Sequence, residues 1–260
     1  MPPPKDVDPT TEQIITHLNG LDEPDIIIFT GGEPTLRPDL EELVRYVHNR
    51  FPDTPFRLLT NGRRFSYRDY TERMVAAGVD EVEVSLCGPS PEVHDAVTRT
   101  PGSFIQSLEG IRNLVSAGVH TNVRYVLHEL TYKSVVDVPD LLYREAPGIG
   151  QLVVMYMDII GNALRHRKQL IVPYRDVAPY VERAADAAVE RGVPLALYHI
   201  PSCVIAPAYR HLSAGITVIE RRITYPPQCE RCSLRSSCCG VWKTYAKDVG
   251  TEEFVPVIEP

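Results

Sequence analysis

Thiols gather late in this chain of 260 residues. Cys87 and Cys203 stand alone, whereas Cys229, Cys232, Cys238 and Cys239 crowd the C-terminal end. The two-residue gap between Cys229 and Cys232 lets both sulfurs turn toward one metal, and Cys238 with Cys203 completes a set of four thiolates. Soft thiolates select zinc or iron–sulfur, and spacing alone puts zinc at least level with iron. Cys239 is the spare, because adjacent cysteines rarely ligate one metal together. The plainer alternative is a structural metal clip on an appendage too small to build its own core. Six cysteines so unevenly placed do not form a disulfide scaffold, and in a reducing compartment such crowding points to metal.

A second group of residues could hold a small ligand. In Thr30-Gly31-Gly32-Glu33-Pro34-Thr35, two glycines let a ligand approach the main chain closely. Glu33 follows at once, presenting a carboxylate suited to an ammonium group. The alternative there is a tight turn with a solvated glutamate. Thr60-Asn61-Gly62 is another turn signal with a polar side chain at its rim. Ser85-Leu86-Cys87-Gly88-Pro89 is followed by His94-Asp95 and Arg99, and Asn122 and Arg124 lie further on. Each alone reads as turn chemistry, but polar residues at one end of successive strands read as a ligand pocket. His94 and Asp95 are expected to brace their loop. The basic run Arg165-His166-Arg167-Lys168 is a solvated face, or else a contact for an acidic peptide or a substrate carboxylate.

The elements that must position these residues alternate. Strands are expected at Asp25–Thr30, Phe56–Thr60, Glu81–Leu86, Thr121–Leu127, Gln151–Met157 and Pro194–His199. Helices are expected at Leu40–Phe51, Tyr67–Ala77, Phe104–Ala117, Ser134–Arg144 and Tyr174–Arg191. In the last helix Val177, Val181, Ala184, Ala185 and Ala188 share one face at helical spacing. Gly78 and Gly118 follow helices as C-terminal caps should. Strands separated by helices imply an α/β chain with a parallel sheet, as an open sheet or a partial barrel, with function at the C-terminal strand ends. Regular periodicity fades after Pro201. Residues 1–200 therefore form the main domain and 201–260 a small Cys-rich extension, with Trp242 and Tyr245 as packing anchors of its last helix.

Composition excludes several classes. With 43% hydrophobic and 23% charged residues the chain can build a packed core and is not disordered. A net charge of -7 argues against broad nucleic-acid binding. Apolar runs such as Ile26-Ile27-Ile28-Phe29 are far short of a membrane span, and the opening residues Met1–Asp6 lack the apolar stretch of a signal peptide. A cytoplasmic location is the default expectation.

Phe29-Thr-Gly-Gly-Glu-Pro-Thr-Leu36, Leu59-Thr-Asn-Gly62 and Val84-Ser-Leu-Cys-Gly-Pro89 with His94-Asp95, in that order, resemble the radical S-adenosylmethionine (radical SAM) superfamily. The likeness runs from about residue 20 to residue 200. It implies a partial (β/α)6 TIM-like barrel. Gly31, Gly32 and Glu33 would bind the methionine amino group of S-adenosylmethionine, with Asn61 at the neighbouring rim. Ser85 would face the ribose or carboxylate, and Asn122 and Arg124 would lie near the same ligand. Met157-Asp-Ile-Ile-Gly161 resembles the family's adenine-contacting strand end. The C-x2-C-x5-C run after the barrel resembles the twitch/SPASM extension, which implies an auxiliary four-iron four-sulfur cluster on Cys203, Cys229, Cys232 and Cys238, with zinc as the alternative. Cys87, at a strand tip facing the pocket, would donate a hydrogen atom to a substrate radical. A buried free cysteine otherwise serves as a small hydrophobe.

One departure qualifies the resemblance. Family members carry a C-x3-C-x2-C loop ahead of Gly-Gly-Glu to ligate the cluster that cleaves the cofactor, and here the first cysteine is Cys87. Either the chain is a shortened form that lacks its first strand and cluster loop, Pro2-Pro3-Pro4 being the remains of a linker, or the lineage has lost the cluster. A barrel without its first strand leaves an unpaired sheet edge, which favours the shortened form. The leading expectation is a radical SAM enzyme acting on a peptide or small metabolite, supplied by an external electron donor. The competing expectation is a cluster-deficient barrel that binds S-adenosylmethionine or a peptide partner without radical chemistry. A third is a zinc-clipped α/β binding protein unrelated to this cofactor.

Overall fold

The computed structural model describes residues 8–215, 217 and 220–258. The opening residues Met1–Asp6, with Pro2-Pro3-Pro4, lie outside them. Six strands form one parallel sheet in sequential order: β1 (Ile27–Phe29), β2 (Phe56–Thr60), β3 (Glu81–Ser85), β4 (His120–Leu127), β5 (Gln151–Tyr156) and β6 (Leu195–Tyr198). Among the described residues no pairing joins β6 back to β1, so this α/β fold is an open, partial barrel. β1 is one of the two edge strands. It borders a groove of about 730 Å³, lined also by Ile14, Leu36 and Leu40, and exposes Ile26 and Ile28.

Helices cover the sheet because their apolar residues recur at helical spacing. They are α1 (Thr11–Asn19), α2 (Leu40–Arg50), α3 (Arg68–Ala77), α4 (Pro91–Thr98), α5 (Ser103–Ser116), α6 (Val138–Glu145), the short α7 (Gly161–Arg165) and α8 (Arg167–Leu170), α9 (Tyr174–Arg191) and α10 (Lys243–Asp248). Leu40, Leu43, Val44 and Val47 of α2 are buried, as are Leu108, Ile111 and Leu114 of α5 and the predicted face of α9. These faces meet Phe56, Leu58, Val82, Val84, Val123 and Tyr125 in a single core.

The strands are not apolar on both sides. Register pairs Leu58 with Val82 and Val123 with Val84, which puts those residues on the helix-facing side. Alternation then turns Arg57, Glu81, Glu83, Ser85 and Arg124 to the opposite, concave side. The C-terminal extension adds a two-stranded antiparallel ribbon, β7 (Ile223–Thr224) with β8 (Val241–Trp242), and α10. It packs on the main domain through Trp242, Tyr245 and Phe254. Tyr245 meets Tyr156 and Tyr174 edge-on at 5.6 and 4.7 Å, and Tyr156 stacks on Tyr174 at 3.9 Å. No helix among the described residues is long and apolar enough to cross a membrane.

Candidate functional site

The tips of β1 and β2 are bound to each other by one carboxylate. Glu33 caps a single 3-10 turn, Pro34–Leu36, and accepts from the Thr35 N–H at 3.1 Å and the Thr35 hydroxyl at 2.7 Å. It also reaches across to accept from the Thr60 hydroxyl at 2.6 Å and the Asn61 N–H at 2.7 Å. Three of these bonds fall on Oε1 and one on Oε2. A carboxylate offers about four lone-pair sites, two on each oxygen, so Oε2 keeps room for a further donor. Beside it, Gly31 adopts φ +146, and a Cβ added at Gly31 or Gly32 would meet nothing within 4 Å. Glycine is thus demanded here by backbone angle, and the space next to both residues is an open cradle.

The β2 turn is fixed from below. Asn61 Oδ1 accepts the Arg63 N–H at 2.9 Å, and the Asn61 carbonyl accepts the Ser107 hydroxyl at 2.8 Å. A Cβ on Gly110 of α5 would lie 2.1 Å from the Gly62 carbonyl oxygen, so α5 sits against this turn only because residue 110 has no side chain. At the β3 tip, the Cys87 N–H donates to His94 Nδ1 at 3.1 Å. Burial, opposed by Asp95 and aided by Arg63, pulls the His94 imidazole down to about 4, which keeps it neutral. Asp95 accepts from the Gly102 and Phe104 N–H groups and the Ser103 hydroxyl at the start of α5. Both residues brace the loop, as their sequence positions suggest. Burial pushes the Cys87 thiol up to about 11, so it stays protonated.

Across the concave side run charge pairs that no sequence motif announced. Glu81 accepts from Arg57 Nε at 2.7 Å and from Asn122 Nδ2 at 3.1 Å. Glu83, 3% exposed, pairs with Arg124. Register sets Arg124 level with Ser85 and Asn122 level with Glu83. Arg124 therefore joins Ser85 at the tips, while Asn122 lies a layer beneath, turned toward Glu81. The only signal for these partners was the alternation Glu81-x-Glu83-x-Ser85 on a strand whose other residues are valines.

The β5 and β6 tips are met by the extension. Asp158 pairs with Arg222 and accepts the Thr244 hydroxyl at 3.1 Å. Trp242 Nε1 donates to the Tyr156 carbonyl at 3.3 Å, and the Arg222 guanidinium lies 5.3 Å from the Trp242 ring centroid. The basic run Arg165–Lys168 is exposed and continues into α8, with Arg167 paired to Asp248.

Cys203, Cys229, Cys232 and Cys238 line one pocket of about 400 Å³ of empty space, mouth included, together with Ser202, Tyr225, Leu234 and Phe254. Burial, then the three other sulfurs, raises the Cys203 thiol to about 12, so the four are electrostatic neighbours. Cys238 is held down at about 6, first by a hydrogen bond from Cys239 and, against desolvation, by the Gly240 and Ser202 N–H groups and the Ser202 hydroxyl. The spare, Cys239, is buried and serves that bond. Among the described residues no three His, Cys, Asp or Glu side chains stand as a ready site for a metal ion.

Comparison with known proteins accords with this geometry. The family model of the Radical SAM superfamily matches residues 2–142. An AdoMet-dependent heme synthase of Oleidesulfovibrio alaskensis is 40% identical over 101 residues, 38% of this chain and 24% of that protein. The mycofactocin maturase MftC of Mycobacterium tuberculosis is 40% identical over 88 residues, 34% of this chain and 22% of its own length. The PqqA peptide cyclase of Gluconobacter oxydans is 26% identical over 166 residues, 63% of this chain and 44% of that one. The chain thus spans less than half the length of these relatives. A domain of pyruvate-formate lyase-activating enzyme from Bacteroides vulgatus superposes with a TM-score of 0.52 at 16% identity, over 67% of this chain and 99% of that chain, a likeness of fold. The chain belongs to the radical SAM superfamily.

Proposed function

From that membership we propose that the tips of β1–β3 bind S-adenosylmethionine, and that the chain serves a radical SAM enzyme acting on a peptide or small metabolite. What carries the reading is the open cradle beside Gly31 and Gly32, with a lone-pair site of Glu33 Oε2 facing a donor such as the methionine ammonium. Ser85 and Arg124, level with each other on β3 and β4, face the ribose and carboxylate. Asn61 contributes its backbone position, its side-chain oxygen being taken by the Arg63 N–H. Bound there, S-adenosylmethionine would supply the family's hydrogen-abstracting chemistry only with an electron donor beyond the residues of this chain. Cys87, kept protonated, is available as a thiol donor to substrate.

The residues at the extension fit an auxiliary four-iron four-sulfur cluster. Cys203, Cys229, Cys232 and Cys238 supply four thiolates around one pocket, the donor type that iron–sulfur clusters take, with zinc as the alternative. The cluster that cleaves the cofactor is another matter. This chain supplies no cysteine before Cys87, so its residues do not fit that cluster. The second reading is a barrel that binds S-adenosylmethionine or a peptide partner without radical chemistry.

Calorimetry and metal analysis test these readings. Wild type should bind S-adenosylmethionine and Glu33→Ala should bind at least roughly tenfold more weakly; equal affinity would overturn the cradle assignment. Anaerobic reconstitution should give roughly four irons and four sulfides per chain. Stoichiometric zinc without sulfide would replace the cluster by a structural clip.

A further inference from the structure

We propose that His199, with Arg222 beside it and Trp242 beneath it, forms a subsite for a carboxylate of the substrate at the β6 tip, separate from the cofactor cradle. His199 follows β6 directly and holds φ +57, a left-handed conformation uncommon for residues other than glycine. Its side chain is 96% buried by its 4% exposure, yet Nδ1 has no hydrogen-bond partner among the described residues. The other nitrogen, Nε2, lies 3.0 Å from the Thr217 hydroxyl, and the ring lies 4.3 Å from the Trp242 ring. A buried, unpaired imidazole nitrogen is costly unless something completes it.

The surroundings say what completes it. Arg124 and Arg222 are the charged groups whose fields reach the imidazole, both cationic. Burial first, then these two, holds the ring neutral, its value lowered to about 4. Each guanidinium has one carboxylate partner, Glu83 or Asp158, and each side chain remains partly exposed, at 25% and 35%. A guanidinium has five N–H donors, so donors remain for an anionic acceptor. A carboxylate would accept from Arg222 and from Nδ1–H, with Nε2 taking the Thr217 hydroxyl proton as acceptor. His199 is thus a substrate-positioning residue. The identity of the carboxylate as substrate rests on the reading of S-adenosylmethionine in the β1–β3 cradle, and the cofactor's own carboxylate is the alternative source.

Trp242, the only tryptophan in the chain, reports on this stack directly. Glutarate is the probe, titrated into the intact chain while Trp242 fluorescence and the ¹⁵N shifts of His199 are followed, with and without saturating S-adenosylmethionine. We expect saturable changes in both signals that persist with the cofactor present. His199→Gln, which keeps a group near Nε2 but none at Nδ1, should weaken glutarate at least fivefold. His199→Asn, which restores a polar atom near Nδ1, should recover most of that loss. Arg222→Gln should weaken glutarate to a similar degree and serves as the second variant if substitution at 199 prevents folding. Absence of a response in wild type, wild-type affinity for glutarate in both Gln variants, or complete displacement of glutarate by S-adenosylmethionine would overturn the proposal. Failure of S-adenosylmethionine to bind in calorimetry would instead break the cradle reading and leave the glutarate result standing.

Discussion

The two halves of the strand-tip surface are built on opposite plans. At β1–β3 the polar groups are closed on one another: Glu33 accepts four hydrogen bonds, Asn61 is fixed by Arg63 and Ser107, and His94 holds the Cys87 N–H. At β4–β6 the contacts come from far along the chain, Arg222 and Thr244 reaching back to Asp158, and the His199 Nδ1 is left unpaired. A surface whose hydrogen bonds are already made is preorganised and holds one geometry. A surface with an unpaired buried nitrogen and partly exposed guanidinia has donors left to offer a ligand. The difference fits the proposed roles, a constant cofactor on one side and a variable substrate on the other.

The largest effect should come from the closed half. Gly110→Ala drives a methyl against the Gly62 backbone carbonyl, which no side-chain rotation can relieve. We expect a loss of about 3 kcal/mol or more, read as a lower urea midpoint; a change under about 1 kcal/mol would mean that α5 shifts freely and that the half is not rigid. Next, Arg222→Gln strands the Asp158 carboxylate, whose side chain is 11% exposed, with only the Thr244 hydroxyl. A loss of about 1–3 kcal/mol is expected, and Arg222→Gln/Asp158→Asn should recover part of it. No recovery would show that Arg222 acts through Trp242 alone.

The smallest effect is in pH. Burial lowers His94, His128 and His199 to about 4 from 6.5. Because the unfolded chain takes up these protons first, stability is fully present above pH 6.5 and declines as pH falls toward 4. Each histidine contributes a slope of up to about 1.4 kcal/mol per pH unit. Glutarate should raise the NMR midpoint of His199, which faces Arg124 and Arg222, and leave that of His94, which faces Asp95 and Arg63. Equal movement of both would erase the contrast between the halves.

The contrast also explains what could be read from the sequence. The closed half is local in character: the Gly-Gly-Glu turn, the Thr-Asn-Gly turn and the Ser-Leu-Cys-Gly loop are short motifs, and all six strands fall where their apolar runs place them. That Cys229, Cys232 and Cys238 line one pocket accords with their close spacing, while Cys203 joins them from far up the chain. What escaped depends on distant partners. Nothing near Glu33 says that its carboxylate spans to Thr60 and Asn61, and nothing near His199 announces Trp242 or Arg222. Asn122 carries a polar amide on the expected strand, but register, which no local signal shows, sets it below the tips. The helix expected at Ser134–Arg144 is instead a 3-10 turn, Tyr132–Asp137, followed by α6, because Pro139 lacks an N–H and belongs in a first helical turn. The unforeseen α1 did carry a signature, since Thr10 and Gln13 form a capping box.

Amide hydrogen exchange with and without S-adenosylmethionine bears most directly on where the cofactor lies. Slowed exchange at residues 31–35, 60–63 and 85–88, with little change along the exposed edge at 26–28, is the expected result. Protection confined to the cysteine pocket or to the groove beside β1, with the Gly31–Glu33 amides unaffected, would contradict the account.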